Sequence, residues 1–371
     1  MTRQAIQTVV FDVSSHGLGH LGQVAPVVQT LRALFPAVRI VVRTAYPSHI
    51  VHDFIGSSVQ LDAPPPEATL VSRDPILIDT VGSAAAYREL HRGWNEHLDR
   101  EMARLAAVSP AVLVANVPYL SLAAAERLGI PSLGFCSLNW LDLYRACCGP
   151  VHDDLIIRTI ENAYQSAKLF LQPQPHMPML DLCNRRPIGP VARVGRQRKE
   201  ELRSRLGLAR NERVVLFTLG GICSKICARL PNIVGIHWLV GSNQPRQADH
   251  ATNVDQIDMS FIDVLASCDA VVTKVGYSTF VEAACNGVGL VSTNRPDWPE
   301  SAVLVDWATR TASFALVEEG LQDARGLRPA LAAVLDAPRK TAVAPAGVRE
   351  AVGIIAEVAG LCRRATDHDG D

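Results

Sequence analysis

The chain has 371 residues, a formal net charge of −1 and 48% hydrophobic residues. That length suffices for two domains with sizeable cores, and the balanced charge argues against nucleic acid as the main partner. The longest apolar runs, such as Ala111–Ala115, are far too short to span a membrane. The start of the sequence lacks the apolar core of a secretory signal, and the nine cysteines are scattered. We therefore expect reduced thiols, a cytoplasmic location and no metal site.

The first half of the sequence alternates short β-branched runs with helical patterns. The predicted strands are Thr8–Val13, Arg39–Arg43, Ala111–Ala115 and Ser132–Cys136, and the predicted helices are Leu21–Phe35 and Leu120–Leu128. Continuous apolar strands that alternate with helices are typical of a parallel sheet covered on both faces. The segment Phe170–Pro190 then carries five prolines, which disfavour a helix and indicate a linker between domains.

A second series of elements follows that segment. It comprises predicted helices at Arg196–Leu206, Ser260–Ala266, Thr279–Cys285, Ala302–Thr309 and Val348–Arg363, and predicted strands at Arg213–Leu219, Gly235–Val240, Ala270–Thr273 and Gly289–Thr293. The pattern predicts an α/β fold with two doubly wound, Rossmann-like domains that face each other across a cleft. The expected divisions are residues 1–190, residues 191–345, and a C-terminal helix with a polar tail at 346–371. Ligands of such sheets bind at the carboxyl ends of the strands.

Residues 271–287 read as a strand, a polar turn and a short helix, which is the local geometry that binds phosphate groups. Gly276 allows a close approach of the backbone, and Ser278 and Thr279 offer hydroxyls and amides at the positive end of the helix. Glu282 lies where a carboxylate can meet a ribose diol. An alternative is purely structural, because Thr279 and Glu282 also fit a capping box. Local pattern alone leaves both interpretations open.

The loop after the first strand, Ser14–His20, is rich in glycine. The spacing of Gly17, Gly19 and Gly22 matches the dinucleotide-binding pattern. The acidic residue expected about 20 residues later is absent, however, and Arg43 ends the second strand instead, which argues against a dinucleotide. His20 lies at the start of the following helix, whose positive end favours the neutral imidazole of a general base. The alternative is a histidine that only caps the loop.

Three segments resemble the GT-B glycosyltransferases: Ser14–Pro26, Pro110–Pro131 and Val271–Glu300. The similarity is closest to the group that contains the peptidoglycan N-acetylglucosaminyltransferase and the glycosyltransferase-like N-terminal half of L-arabinokinases. The third segment, with its pattern Thr-Lys-x-Gly-Tyr-x-Thr-x-x-Glu, is the most specific. The resemblance covers most of the chain in order and spacing.

This resemblance implies that the C-terminal domain binds a nucleotide-sugar donor, which we expect to be UDP-linked. Glu282 would hold the ribose, Glu300 would bond sugar hydroxyls, and Lys274 would add charge. The diphosphate would be held by backbone and hydroxyl groups of Gly220, Gly221, Gly276, Ser278 and Thr279. No metal or other cofactor is implied, because amides and the helix dipole neutralise the leaving diphosphate.

The resemblance also implies an acceptor site on the N-terminal domain, with His20 as the base. The acceptor, a small molecule or a lipid-linked one, would lie near His16, Gly17, Gly19, Asn139 and Trp140. Related sequences often carry an Asp that orients the catalytic histidine, and here the matching position is Asn116. An amide cannot stabilise imidazolium by charge. Either another acid, such as Asp12 or Asp142, serves this role, or His20 acts alone, or catalysis has been lost.

The sequence therefore predicts a metal-independent glycosyltransferase that moves a sugar from a nucleotide-sugar to an acceptor hydroxyl or amine. Two alternatives remain. The first is a nucleotide-sugar-binding accessory protein without transfer activity, which Asn116 would favour. The second is a sugar-nucleotide epimerase, since that class shares the two-domain fold and fold alone does not determine function.

Overall fold

The structure, a computed structural model, describes residues 6–71, 78–220, 230–241, 250–318, 321 and 324–361. The first sheet consists of β1 (Thr8–Val13), β2 (Arg39–Arg43), β3 (Gln60–Asp62), β4 (Val112–Asn116), β5 (Ser132–Phe135), β6 (Leu169–Pro173) and β7 (Arg185–Ile188). The second consists of β8 (Arg213–Thr218), β9 (Ile236–Val240), β10 (Ala251–Asn253), β11 (Ala270–Lys274), β12 (Gly289–Thr293) and β13 (Phe314–Val317).

Helices connect and cover the strands. They are α1 (Leu18–Leu34), α2 (Ser48–Ile55), α3 (Thr80–Arg92), α4 (Trp94–Val108), α5 (Tyr119–Leu128), α6 (Trp140–Cys148), α7 (Asp154–Ser166), α8 (Lys199–Leu206), α9 (Phe261–Ser267), α10 (Tyr277–Cys285), α11 (Ser301–Thr311), α12 (Ala324–Asp336) and α13 (Ala346–Val358). Within the described ranges, no helix combines the length and the apolar composition needed to cross a bilayer.

Both sheets have the strand order of doubly wound folds. The first runs β3-β2-β1-β4-β5-β6-β7 and the second β10-β9-β8-β11-β12-β13, and the paired strands are parallel. The order reverses between β1 and β4 in one sheet and between β8 and β11 in the other. Such reversal points open a crevice at the carboxyl ends of the strands. The predicted architecture of two doubly wound α/β sheets is confirmed.

The central strands are mostly apolar because helices cover both faces of each sheet. Val9 and Phe11 pack into the core on one face of the first sheet, and Val10 packs into the core on the other. The second sheet divides its apolar residues in the same way between two cores, with Val214 on one face and Val215 on the other. Full burial on both faces is the reason that the strands lack a polar alternation.

The prediction of a linker at Phe170–Pro190 is wrong. The segment contributes β6 and β7 to the first sheet, with the cis peptide Gln174–Pro175 in the turn between them. Proline is tolerated here because β7 is the edge strand, so Pro187 removes no hydrogen bond from a second neighbour. The chain instead passes to the second sheet between β7 and α8.

The last helix returns to the first sheet. Val352 and Ile355 of α13 are buried in the same core as Val24 and Val28 of α1, and α13 also contacts β4 and β7. The amphipathic pattern near the C-terminus therefore serves the N-terminal domain. The chain crosses between the domains twice, once after β7 and once before α13.

A buried ion cluster lies near the carboxyl ends of β1 and β2. Asp12 and Arg43 are direct neighbours across the two strands, and the Arg43 Nε and Nη2 atoms lie 2.5 and 2.6 Å from the two carboxylate oxygens of Asp12. Arg43 Nη2 also lies 2.5 Å from Glu101 Oε1. Burial alone would lower the pKa of Arg43, but the charges of Asp12 and Glu101 raise it above its ordinary value. The arginine that stands where a dinucleotide-binding acid was expected is thus a structural residue.

Candidate functional site

The two crevices face each other, and several direct contacts join their walls. The Ser278 hydroxyl donates to the Gly19 carbonyl at 2.8 Å, which brings the N-terminus of α10 against the first turn of α1. The Tyr277 hydroxyl donates to the Gln174 carbonyl at 2.9 Å. The rings of His16 and Trp298 stack with centroids 5.9 Å apart. The glycine-rich loop and the predicted donor helix therefore meet in one cleft.

Gly22 explains why the two helices approach so closely. A Cβ atom at this position would lie 2.5 Å from Ser278 Oγ and 2.9 Å from Ser278 Cβ, distances that side chains do not adopt. The third glycine of the apparent dinucleotide pattern is thus required for contact with the other domain.

His20 lies in the first turn of α1, and its side chain bonds the end of β4. His20 Nδ1 lies 2.7 Å from Asn116 Oδ1, and the Cys136 sulfur lies 3.8 Å from the same nitrogen. The predicted pairing of these two residues is therefore present as a hydrogen bond. Neither Asp12 nor Asp142 bonds His20 in the described part of the chain: Asp12 pairs with Arg43, and the charged groups that act on Asp142 are Asp181, Arg145 and Arg185.

The environment keeps the His20 imidazole neutral. Burial lowers its pKa to about 4, and the hydrogen bond that Nδ1–H donates to Asn116 opposes that shift without overcoming it. Within the described part of the chain, Nε2 makes no hydrogen bond. The ring is consequently held at one nitrogen and open at the other, which suits a group that accepts a proton from a ligand.

Beyond Asn116 the hydrogen bonds continue to the other domain. Asn116 Nδ2 donates to Gln23 Oε1 at 3.2 Å, and Gln23 Nε2 donates to Ser137 Oγ at 2.9 Å. The Ser137 hydroxyl donates to Glu300 Oε1 at 2.6 Å. Gln23 and Ser137 were missed in the sequence. Gln23 lies one helical turn after His20, and Ser137 follows the carboxyl end of β5, so both positions face the predicted cleft. No sequence motif includes either residue.

Glu300 is turned toward the N-terminal domain and is only 2% exposed. Its second carboxylate oxygen accepts from Trp298 Nε1 at 3.2 Å. Burial raises the pKa of Glu300, whereas the hydrogen bonds from Ser137 and Trp298 lower it. A sugar hydroxyl could bond this carboxylate only by exchanging with one of these donors, so the sugar-binding role of Glu300 stays a prediction.

Aromatic rings line the predicted acceptor side of the cleft. A carboxyl group that the sequence did not predict lies against them. The His16 and Trp140 rings meet edge to face at 5.2 Å, and Trp140 Nε1 donates to Glu67 Oε1 at 2.7 Å. Burial raises the pKa of Glu67 to about 7. Burial also lowers the pKa of His16 to about 3, with the cations and His20 nearby adding to the shift. Glu67 lies in an irregular segment, and no sequence pattern distinguished it.

Gly17, which was also predicted to lie near the acceptor, is the N-cap residue of α1, and no side-chain hydrogen bond caps this helix. Asn139 serves as a helix cap, since its Oδ1 accepts from the Asp142 amide at 2.7 Å. Its Nδ2 atom is buried without a hydrogen-bond partner among the described residues. The cleft is thus bordered by Gly17, Gly19, His16 and Trp140. Asn139 is buried behind them and caps α6.

The capping box that was the structural alternative for α10 does not form. The helix begins at Tyr277 with Gly276 as its N-cap, two residues earlier than the pattern indicated. Ser278 bonds the Gly19 carbonyl, and Glu282 bonds Arg193, so tertiary partners replace the local cap. The Thr279 hydroxyl makes no hydrogen bond within the described residues, which leaves it and the first amides of α10 available to an anion.

Glu282 is 2% exposed and forms an ion pair, in which Arg193 Nε donates to Glu282 Oε1 at 2.6 Å. The guanidinium of Arg193 also lies 4.2 Å above the ring of Phe54 in α2. Glu282 therefore anchors the segment between the domains. A ribose could reach this carboxylate only at the other oxygen or in competition with Arg193, and the ribose role stays a prediction.

Two basic side chains, Lys274 and Arg295, lie at the carboxyl ends of β11 and β12. Burial, together with the charge of the nearby Arg295, lowers the pKa of Lys274 to about 7. The Arg295 guanidinium lies 4.7 Å above the Trp298 ring. Within the described residues, Lys274 has no salt-bridge partner. Cations that repel each other in a buried site indicate a position suited to an anionic ligand.

Gly220 lies just after the carboxyl end of β8, and β8 is the neighbour of β11 in the sheet. It therefore lies on the same side of the cleft as Lys274. Its φ of +74° lies in the left-handed region that favours glycine. The prediction for Gly221 concerns a residue outside the described ranges. Among the residues that the structure describes, no group of three or more His, Cys, Asp or Glu side chains could hold a metal ion.

Comparison with known proteins gives a distant relative in sequence and many in structure. No protein-family model matches the chain. It is 24% identical over 308 residues to an L-arabinokinase of Arabidopsis thaliana, an alignment that covers 79% of this chain and 29% of that protein. The chain thus spans less than a third of the length of this curated relative.

Among similar solved structures is the glycosyltransferase SnogD from Streptomyces nogalater, with a TM-score of 0.59, 16% identity and coverage of 96% of this chain and 95% of that chain. A spinosyn rhamnosyltransferase complexed with thymidine diphosphate has a TM-score of 0.60 at 13% identity, with 96% of both chains covered. Phytolacca americana UGT2, complexed with UDP-2fluoro-glucose and pterostilbene, has a TM-score of 0.54 at 15% identity and covers 99% of this chain and 96% of that chain. The chain has the GT-B glycosyltransferase fold, and its distant similarity to L-arabinokinase is confirmed.

Proposed function

We propose that this protein is a glycosyltransferase that moves a sugar from a nucleotide-sugar, UDP-linked, to an acceptor hydroxyl or amine. The observation that carries the proposal is the placement of His20. Its imidazole is held by Asn116 through Nδ1, is kept neutral by burial, and lies one residue from the contact between Gly19 and the N-terminus of α10. A base and an anion-binding helix end therefore face one cleft.

In the proposed reaction, His20 Nε2 takes the proton of the acceptor hydroxyl or amine. The acceptor oxygen or nitrogen forms a bond to the anomeric carbon, and the bond from that carbon to the diphosphate oxygen breaks. The leaving nucleoside diphosphate carries the negative charge away from the sugar. First-turn amides of α10, the Thr279 hydroxyl and Lys274 would stabilise that charge, which is why the mechanism needs no metal ion.

Purified protein should be incubated with radiolabelled UDP-sugars and a panel of alcohols, phenols and amines. Transfer products, or slow release of free sugar and UDP without an acceptor, would support the proposal. Conversion of the nucleotide-sugar to its epimer without any acceptor would contradict it in favour of an epimerase. Failure of all UDP- and TDP-sugars to bind would contradict the donor site itself.

A second candidate is a nucleotide-sugar-binding accessory protein. The observation in its favour is Asn116, an uncharged amide where a carboxylate would stabilise the imidazolium that forms during proton transfer. Binding of a nucleotide-sugar without turnover across the acceptor panel would support this function. The two candidates share the donor site and differ only in whether His20 completes the transfer.

We expect Glu282→Ala to weaken UDP binding about 10-fold or more if Glu282 bonds the ribose, as removal of a charged hydrogen-bond acceptor implies. Isothermal titration calorimetry measures the affinity. The matched variant is Arg193→Ala, which removes the partner of Glu282 and leaves the carboxylate in place. A ribose role predicts that only Glu282→Ala weakens binding. Equal weakening by both variants would show that Glu282 acts only through Arg193.

We expect UDP binding to take up protons above pH 7. The free protein holds Lys274 near its titration midpoint, because burial and Arg295 lower its pKa to about 7. A bound diphosphate favours the charged amine and raises that pKa, so affinity should fall as the pH rises from 7 to 9. Calorimetry at pH 8 in buffers of different ionisation enthalpy measures the uptake. Lys274→Met should abolish it, and persistence of the uptake in that variant would contradict the assignment.

A further inference from the structure

A single line of hydrogen bonds runs from His20 through three buried side chains to a carboxylate of the other domain. The members are His20, Asn116, Gln23, Ser137 and Glu300, joined by contacts of 2.7, 3.2, 2.9 and 2.6 Å in that order. Each member is at most 6% exposed. Bulk water therefore does not compete freely for these groups, and the donors and acceptors must satisfy one another.

The direction of this line is fixed from the Glu300 end. An ionised carboxylate only accepts, and Trp298 Nε1, which only donates, bonds its other oxygen at 3.2 Å. The Ser137 hydroxyl must then donate to Glu300 and accept from the carboxamide of Gln23. With its nitrogen toward Ser137, that carboxamide presents its oxygen to Asn116.

The same reasoning continues to the imidazole. The Asn116 Nδ2 atom donates to Gln23 Oε1, so the Asn116 oxygen faces His20 Nδ1. Nδ1 must then carry the hydrogen, and Nε2 must carry the lone pair. Reversal of the line would require the Ser137 hydroxyl to turn toward Gln23, which would leave Glu300 Oε1 without a donor in a buried site.

We propose that Glu300 is a positioning residue that fixes the tautomer of His20, so that Nε2 is free to accept a proton. Glu300 belongs to the C-terminal domain, while the other four members belong to elements of the N-terminal sheet. The line is complete only when the domains are as close as the Ser278–Gly19 contact holds them. Domain closure thereby prepares the base. This inference rests on the proposed role of His20, but it concerns a property that is measurable without turnover.

The test is a two-dimensional ¹H–¹⁵N spectrum of protein labelled with ¹⁵N-histidine, recorded at pH 7.5. The His20 signals are assigned by their loss in His20→Gln. In the unaltered protein we expect the Nδ1–H form to dominate. Glu300→Gln preserves the volume, and its carboxamide must keep its oxygen on Trp298 Nε1, so its nitrogen faces the Ser137 hydroxyl. The line of hydrogen bonds then reverses, and we expect this variant to shift toward the Nε2–H form.

Two further variants sharpen the result. Gln23→Glu combined with Glu300→Gln moves the carboxylate to the middle of the line, where it accepts from both Asn116 and Ser137, and it should restore the Nδ1–H form. Glu318→Gln removes an exposed carboxylate of the same domain and should change nothing. A dominant Nε2–H form in the unaltered protein, or an unchanged tautomer in Glu300→Gln, would overturn the proposal.

Once a donor and acceptor are known, a rise in the KM for the donor in Glu300→Gln would report the predicted sugar contact of Glu300, whereas loss of the fixed tautomer should lower kcat about 10-fold. The Gln23→Glu change should recover most of that loss. If the tautomers respond as expected but no transfer occurs with any substrate, the proposed function fails while the positioning role of Glu300 stands.

Discussion

Replacement of His20 by alanine is expected to lower kcat for sugar transfer by about 10²–10⁴-fold, the usual contribution of a general base. The affinity of this variant for UDP should not change, because the predicted diphosphate contacts come from the other domain, at the ends of β8 and β11 and at the start of α10. The kcat of the unaltered protein should also stay level between pH 6 and 8. His20 must be neutral to accept a proton, and burial holds its pKa at about 4, so activity should fall only as the pH approaches that value.

Single-turnover assays with labelled donor measure the transfer step, and calorimetry measures UDP binding. His49→Ala is the matched control, because His49 is an exposed histidine at the start of α2. It should leave both quantities unchanged. Full turnover in His20→Ala would remove His20 as the base, and an acid limb near pH 6.5 would show that the imidazole is more exposed to water than the structure indicates.

Replacement of Arg43 by alanine is expected to reduce the free energy of unfolding by about 3–5 kcal/mol, the usual cost of breaking a buried ion pair. Arg43 is fully buried, and it provides the charged partner of both Asp12 and Glu101. Its loss leaves Asp12 without the two hydrogen bonds from the guanidinium. Burial already raises the pKa of Glu101 to about 7, and loss of Arg43 would raise it further.

Urea unfolding followed by circular dichroism measures the change. The triple variant Asp12→Asn, Arg43→Met and Glu101→Gln removes the cation and both of its carboxylate partners, and it should be much less destabilised, because buried ion pairs often exchange for uncharged residues at little cost. A loss below about 1 kcal/mol in Arg43→Ala would contradict a structural role. Equal losses in the single and triple variants would indicate that packing volume, not charge, accounts for the effect.

The sequence predicted many of the features that depend on a single domain, although it missed β6 and β7, whose prolines indicated a linker. Strands Thr8–Val13 and Arg39–Arg43 have the predicted bounds, because both are almost wholly buried and their apolar runs are unbroken. The pairing of His20 with Asn116 was also predictable, since β1 and β4 are neighbours and both residues follow or end those strands.

Features that depend on contacts between domains were not predictable. Thr279 and Glu282 carried a correct capping-box pattern, but Ser278 and Glu282 found partners in Gly19 and Arg193, outside the helix. Glu300 looked like a ligand residue, and nothing in the sequence shows that it would bond Ser137. Such contacts depend on how the surfaces of the two domains meet. They produce no periodic pattern in the sequence.

The return of α13 to the first sheet has a consequence for synthesis of the protein. The core that holds Val24 and Val28 also requires Val352 and Ile355. The N-terminal domain can complete this core only after the whole C-terminal sheet has been translated, a delay of roughly 10–30 s at 5–20 residues per second. During that interval, an apolar surface of α1 and its neighbours stays uncovered on the nascent chain. The first domain to be synthesised is therefore the last to complete its core.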